Sequence, residues 1–313
     1  MSIDPDRITR PEMAEAIRSS GYLLEQRVSA VLSAQGYYVE TNPAYLDPET
    51  GKSREFDISA IAGVQLARKR MDFIFPVVLA ECENNGQPVV FFCAESQVSF
   101  LHHHEVKCSG VPVQIWDGQE FTRLSDFLHF ERFHHYCEGP VATQYCSFHR
   151  KSPNAPWVAL HSDAQHQTFV SLINALEGAI DEHYEIWIPP LRGEEESVNI
   201  QVYYPVIVLH GELYRAQERG RSLIIQRCDH AQYRRQLWSA QRKSTYQIDV
   251  VTERYFPQFL ELLDREVQTM KRRMSRHHTA VRDSIGQLVA SARRVKKKTA
   301  SLRGIFEFRS AGS

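Results

Sequence analysis

Apolar residues recur at Met13, Ile17, Leu24, Val28, Val31 and Leu32, the three-and-four spacing of a helix face. Gly21 interrupts the pattern and Gly36 closes it, as a C-terminal glycine does. Thr9 followed by Pro11 marks the start, with the threonine as N-cap and the proline in the first turn. Beyond Gly36 the pattern turns to β-type runs: "YYVET", "REFDISAIAGV", "PVVLAECE" (76–83) and "PVVFF" (88–92). Asn84-Asn85-Gly86-Gln87 between the last two reads as a hairpin turn. "VPVQIW" (111–116) predicts another short strand, and "FTRLSDFLHFERFHHY" (121–136) an amphipathic helix. "RKSPNAPW" (150–157) is a proline- and serine-containing break. A helix over 166–184 follows, then strands in "VNIQVYYPVIVLHGELYRAQ", "RSLIIQRCD" and "STYQIDVVTE", then a strong helix over 255–274. The pattern predicts an α/β protein with a first domain over 1–150, a second α/β region over 151–275, and a basic helical tail over 276–313.

Composition narrows the class. With 42% hydrophobic and 24% charged residues, the 313-residue chain can bury a core without staples. No apolar stretch approaches the roughly 18 residues a membrane helix needs, and the N-terminus "MSIDPDRITRPEM" is too polar for a secretory signal. The six scattered cysteines read as reduced thiols, and the expected location is the cytoplasm. The net charge of −1 conceals a division. From Arg265 to Arg303, twelve Lys/Arg stand against Glu266 and Asp283, leaving a local +10 on an otherwise acidic body. A basic segment of this kind suits a polyanion partner or a solvated helix face.

Candidate chemistry centres on "LAECENNG". On a strand, residues i and i+2 share a face, so Glu81 and Glu83 point together and Cys82 points away. The same rule couples Glu55 to Asp57 in "SREFDISA", with Glu55 read as the solvent-facing partner. The apolar runs on both sides of Glu81 predict a strand buried on both faces, where carboxylates are costly unless paired or bound to a cation. The bland alternative is a surface hairpin whose acids face water. Glu25 borders the apolar stripe of the first helix rather than its wet face.

A helix carrying Glu25, a strand region ending in "REFDISA" and then "PVVLAECENNGQPVVFF" resemble the restriction-endonuclease-like, PD-(D/E)xK nuclease superfamily. The resemblance covers roughly residues 10–120. It implies a mixed sheet flanked by helices, with Asp57 and Glu81 holding Mg²⁺ or Mn²⁺ and Glu25 assisting. It also implies a nuclease acting on nucleic acid, DNA before RNA; the oligomeric state stays open, a homodimer being one form. The motif's lysine position holds Glu83 instead, which then serves as general base or extra ligand, or marks a fold that binds without cutting. Lys52, Arg54 or Lys107 are candidate substitutes for the missing positive charge.

Two histidine-bearing segments remain. Cys137, Cys146 and His149, with His134 or His135, offer four zinc-type ligands, though in no standard finger spacing; buried free thiols explain them as well. The run His102-His103-His104 reads as a poor joint ligand set, because consecutive side chains point in different directions.

Overall fold

A computed structural model describes residues 7–20, 22–47, 51–66, 72–94, 99–116, 118–160, 163–187, 197–238 and 243–296. The expected N-cap is present: the Glu12 amide donates to Thr9 Oγ1 and the Glu12 carboxylate accepts from the Thr9 amide, a capping box that starts α1 (Arg10–Ser19). A second helix, α2 (Tyr22–Ala34), buries Leu24, Val28 and Leu32. Among the strands that follow, β1 (Tyr38–Thr41), β2 (Ile58–Ile61) and β3 (Phe73–Asn84) pair antiparallel in that order.

Further along come β4 (Val89–Ala94), β5 (Lys107–Ser109), the short α3 (Leu124–Phe127), β6 (Val141–His149) and the long α4 (Asp163–Trp187). The remainder comprises β7 (Asn199–His210), β8 (Leu213–Arg219), β9 (Ser222–Cys228), β10 (His230–Trp238), β11 (Lys243–Thr252), α5 (Phe256–Arg276) and α6 (His278–Lys296). None of the described helices is long and apolar enough to cross a membrane.

The main sheet runs β1-β2-β3-β7-β11-β10-β6-β4-β8-β9, with β5 paired to β7 off this path. It is a large mixed sheet flanked by helices. β3 and β7 are parallel over twelve residues, and β7 and β11 are also parallel. Both central strands are buried on both faces, hence their nearly unbroken apolar runs. One face packs against α2, α5 and α6 through Val78, Ala80, Val206, Phe259, Leu263 and Ile285, among others. The other packs against α4 through Val77, Leu79, Ile207, Phe169, Leu172 and Leu176.

The boundary expected at 150–157 lies between β6 and α4, and it does not separate two sheets. Strands from either side of it interleave in blocks: β7, β11 and β10 lie between β3 and β6, and β6 and β4 lie between β10 and β8. The expected 76–92 hairpin is absent too. After Asn84 pairs with His210, the Asn85 amide donates to the His210 carbonyl and the Val89 amide to that of Glu212. Val89 then pairs with Leu213, so β4 continues parallel to β8 as β3 did to β7. Asn84–Pro88 is therefore a bend in a continuing two-stranded ribbon: the twelve-residue match with β7 outcompetes the local turn.

The helix expected over 121–136 is broken into α3 and two 3-10 turns, with His129 at φ +52 in the left-handed region between them. The basic helix survives as α6, while the rest of the expected tail, 297–313, lies outside the described residues. Part of its charge is committed internally. Arg282 and His278 both pair with the fully buried Asp72, and Arg273 donates to the Leu128 carbonyl and stacks over Phe133.

Gly110, at φ +77, ends β5 where a Cβ would meet the Asn199 carbonyl oxygen at 2.0 Å. Gly110→Ala is expected to lower unfolding stability by about 1–3 kcal/mol, read from urea midpoints at unchanged slope. An unchanged midpoint would show that the β7 backbone yields freely there.

Candidate active site

The alternation of β3 sends Val77, Leu79, Glu81 and Glu83 toward α4, and Val78, Ala80 and Cys82 toward the opposite layer. Two hydroxyls one turn apart on α4 meet the acids: Thr168 Oγ1 donates to Glu83 Oε1, and Ser171 hydrogen-bonds Glu81. Asp57 directly precedes β2, whose Ile58 pairs with Ala80, so Asp57 stands beside Glu81. The Cys82 amide donates to Asp57 Oδ2 at 2.7 Å, and the Asp57 and Glu81 carboxyls hydrogen-bond each other. Glu25 borders the buried stripe of α2, close enough to Asp57 to feel its charge. Asp57 and Glu81 thus touch, while Glu25 and Glu83 stand within electrostatic reach of Asp57, and no three of these four acids bring ligand atoms within 4.8 Å of one another. Glu55, as expected, is exposed.

Burial governs their electrostatics. Glu81, 8% exposed, is pushed up to about 8, first by desolvation and then by the Asp57 charge, against the help of Ser171. Desolvation likewise raises Asp57, although the Cys82 amide and Glu81 oppose it. Glu83 is raised by desolvation, against the Thr168 hydrogen bond, and Glu25 by desolvation and then by Asp57. Two touching carboxyls near neutral pH share a proton, because two bare charges in so dry a place repel.

Two of the three positive charges expected nearby are engaged elsewhere. Arg54 pairs with Asp47, and Lys107 donates to Ser244 and sits over the Tyr246 ring. Arg18, Arg27 and His210 line a separate surface cleft with Asn84 and Leu24. Arg27 and His210 are joined there through Glu253.

On the opposite face lies a buried network that the sequence did not reveal. His135 points Nδ1 at Glu266 (2.8 Å) and Nε2 at Asp249 (3.0 Å), and His230 also reaches Asp249 (2.8 Å). Burial alone would lower His135, but the Asp249 and Glu266 charges outweigh it and hold the imidazolium at about 10. Two adjacent histidines carry no spacing signal, and their acid partners come from β11 and α5.

Three sets of residues, among those described, bring three ligand atoms within 4.8 Å of one another, and all three contain histidine. They are His103–His104–Asp126, His134–His135–Glu266 and His135–His230–Asp249. The zinc set expected from Cys137, Cys146 and His149 is not among them: Cys146 is buried against Val90 and Ala216, whereas His149 is exposed. The His102–His104 expectation also needs correction, since two of those rings converge on one carboxylate. No family model, curated protein or solved structure matches the chain.

Proposed function

We propose that this protein is a divalent-metal-dependent nuclease that hydrolyses phosphodiester bonds, with DNA as substrate, on a restriction-endonuclease-like core. The contact between the Asp57 and Glu81 carboxyls, with Glu25 and Glu83 within electrostatic reach of Asp57, carries this reading and supports the motif order helix Glu, strand-start Asp, next-strand Glu-x-Glu. The residues fit a hard cation. The donors are all carboxylate oxygens, and a cation would replace the proton that Asp57 and Glu81 share. Mg²⁺ is held by one or two carboxylates, with water and substrate phosphate completing its shell, so this pair suffices.

Asp57 and Glu81 would hold Mg²⁺ or Mn²⁺, which would supply Lewis-acid polarisation of the phosphate and an adjacent water. Asp57 is aimed by the Cys82 amide and Glu81 by Ser171. Glu83 takes the proton of the attacking water, its carboxylate steered by Thr168 and its proton affinity raised by burial.

Relaxation of supercoiled plasmid with Mg²⁺ or Mn²⁺ tests the reading, and Asp57→Asn should eliminate it. Glu83→Gln is expected to lower kcat by about 10²–10⁴ with DNA affinity retained; full activity would remove Glu83 from the chemistry. DNA binding without cleavage under any metal would favour the rival, a catalytically silent nuclease fold that binds nucleic acid.

A further inference from the structure

We infer that His103, His104 and Asp126 form a second metal site, for a divalent ion of the zinc class, separate from the acid cluster. The two histidines end the 3-10 turn Ser99–Glu105, and Asp126 lies on α3. Their Nε2 atoms approach one carboxylate oxygen, Asp126 Oδ1, at 2.7 and 2.8 Å. Successive residues of a 3-10 turn point about 120° apart, yet these rings lean together, with centroids 4.2 Å apart and planes 57° from parallel. Two ligands of a tetrahedral ion with bonds of about 2.0–2.1 Å lie roughly 3.3 Å apart. All three ligand atoms lie within 4.8 Å of one another, so small side-chain shifts would admit an ion in place of the two hydrogen bonds.

Donor chemistry selects the ion. Imidazole nitrogens suit Zn²⁺, Fe²⁺, Co²⁺ or Ni²⁺, whereas Mg²⁺ prefers an all-oxygen set such as Asp57 with Glu81. Binding requires both imidazoles neutral, with the ring proton on Nδ1, and the carboxylate ionised. The side chain of His103 is 3% exposed and anchors the set, while those of His104 and Asp126 are 23% and 41% exposed. One side of the ion would therefore face solvent and keep positions for water or an incoming ligand, which distinguishes the site from a closed structural one.

The two buried histidine sets lack this freedom. Both nitrogens of His135 donate to carboxylates. His134 accepts the Tyr136 amide on Nδ1, which leaves its proton on Nε2 facing Glu266. Neither ring offers a lone pair without breaking that closed network. At His103 and His104 an ion must likewise displace the hydrogen bonds to Asp126, but there His104 and Asp126 are open to solvent, which can carry the protons away.

Titrating the metal-stripped full chain with Zn²⁺ by calorimetry, and with Co²⁺ by visible absorption, tests the inference. One Zn²⁺ equivalent is expected to persist in an Asp57→Asn/Glu81→Gln double variant. It should weaken in Asp126→Asn and in His104→Ala by more than the roughly 10–100-fold that outer-sphere partners contribute, and the cobalt bands should vanish with it. Asp126→Asn keeps side-chain volume, and circular dichroism checks that each variant is folded. Parent-like Zn²⁺ affinity in folded Asp126→Asn, or unchanged cobalt bands in folded His104→Ala, overturns the site. Neither result depends on the outcome of the plasmid assay.

Discussion

Glu81→Gln is expected to abolish metal-dependent nicking and, at the same time, to stabilise the metal-free protein above neutral pH. The first effect follows from removing one of two carboxylates in contact, since an amide oxygen carries no charge to balance the ion. The second follows from linkage. Glu81 has an ordinary pKa of 4.5 and a folded one near 8. Between those values the folded chain retains a proton that the unfolded chain has released. Stability therefore falls as pH rises from about 4.5 to 8, by on the order of a few kcal/mol. The titration belongs to the Asp57–Glu81 pair rather than to either residue.

Glutamine keeps the shape and the Ser171 contact without the charge, so the variant should lose this share of the slope and keep the share that comes from the other shifted groups, His135 among them. Urea unfolding at pH 5.5 and 8.5 makes the comparison, and Mg²⁺ should flatten the parent's slope in the same way. Identical pH slopes in parent and variant would mean that Glu81 is hydrated, and the cation argument would fail with it.

Asp249→Ala is expected to be the most destabilising single change, by about 3–5 kcal/mol. The Asp249 side chain is fully buried, with His135 at 3.0 Å and His230 at 2.8 Å. Burial would raise its pKa, but the His135 charge and the histidine hydrogen bonds hold it well below the usual range. Removal leaves the His135 imidazolium inside the protein with Glu266 as its sole close carboxylate in the network. The pH dependence of the parent carries the same signature. His135 rises from 6.5 to about 10 on folding, so its contribution is whole below about 6.5 and disappears as pH climbs through 10. Asp249 contributes above its unfolded value, and that contribution fades as the solution is acidified. Thermal or urea midpoints across pH 3–11 should show both shoulders in the parent and lose them in the variant. A loss below about 1 kcal/mol would show that water reaches the network.

The acid site was legible for a specific reason. Period-two alternation sets the shared face of Glu81 and Glu83 whatever the neighbouring strands are, and the helical stripe sets the half-buried position of Glu25. Pairing partners were not legible. Asn84-Asn85-Gly86 has good turn chemistry, yet local turn preference is outweighed by a twelve-residue match with β7, which only the folded chain brings alongside. The break at 150–157 looked like a linker because proline and serine mark loops between domains and loops within them alike. The histidine sets were hidden because their acids, Asp126, Asp249 and Glu266, come from elements remote from each histidine in sequence. The mutual lean of His103 and His104 depends on local side-chain angles, which residue spacing does not specify.

The interleaving of the two halves bears on how the molecule comes into being. During synthesis the first 150 residues emerge with the Asp57 and Glu81 strands but without β7, which covers one whole side of β3, and without the α4 hydroxyls that steer Glu81 and Glu83. Pairings this distant in sequence close slowly. The acids therefore gain their final arrangement only after the chain has been made beyond residue 210, and a nascent or truncated polypeptide carries the ligands without the site.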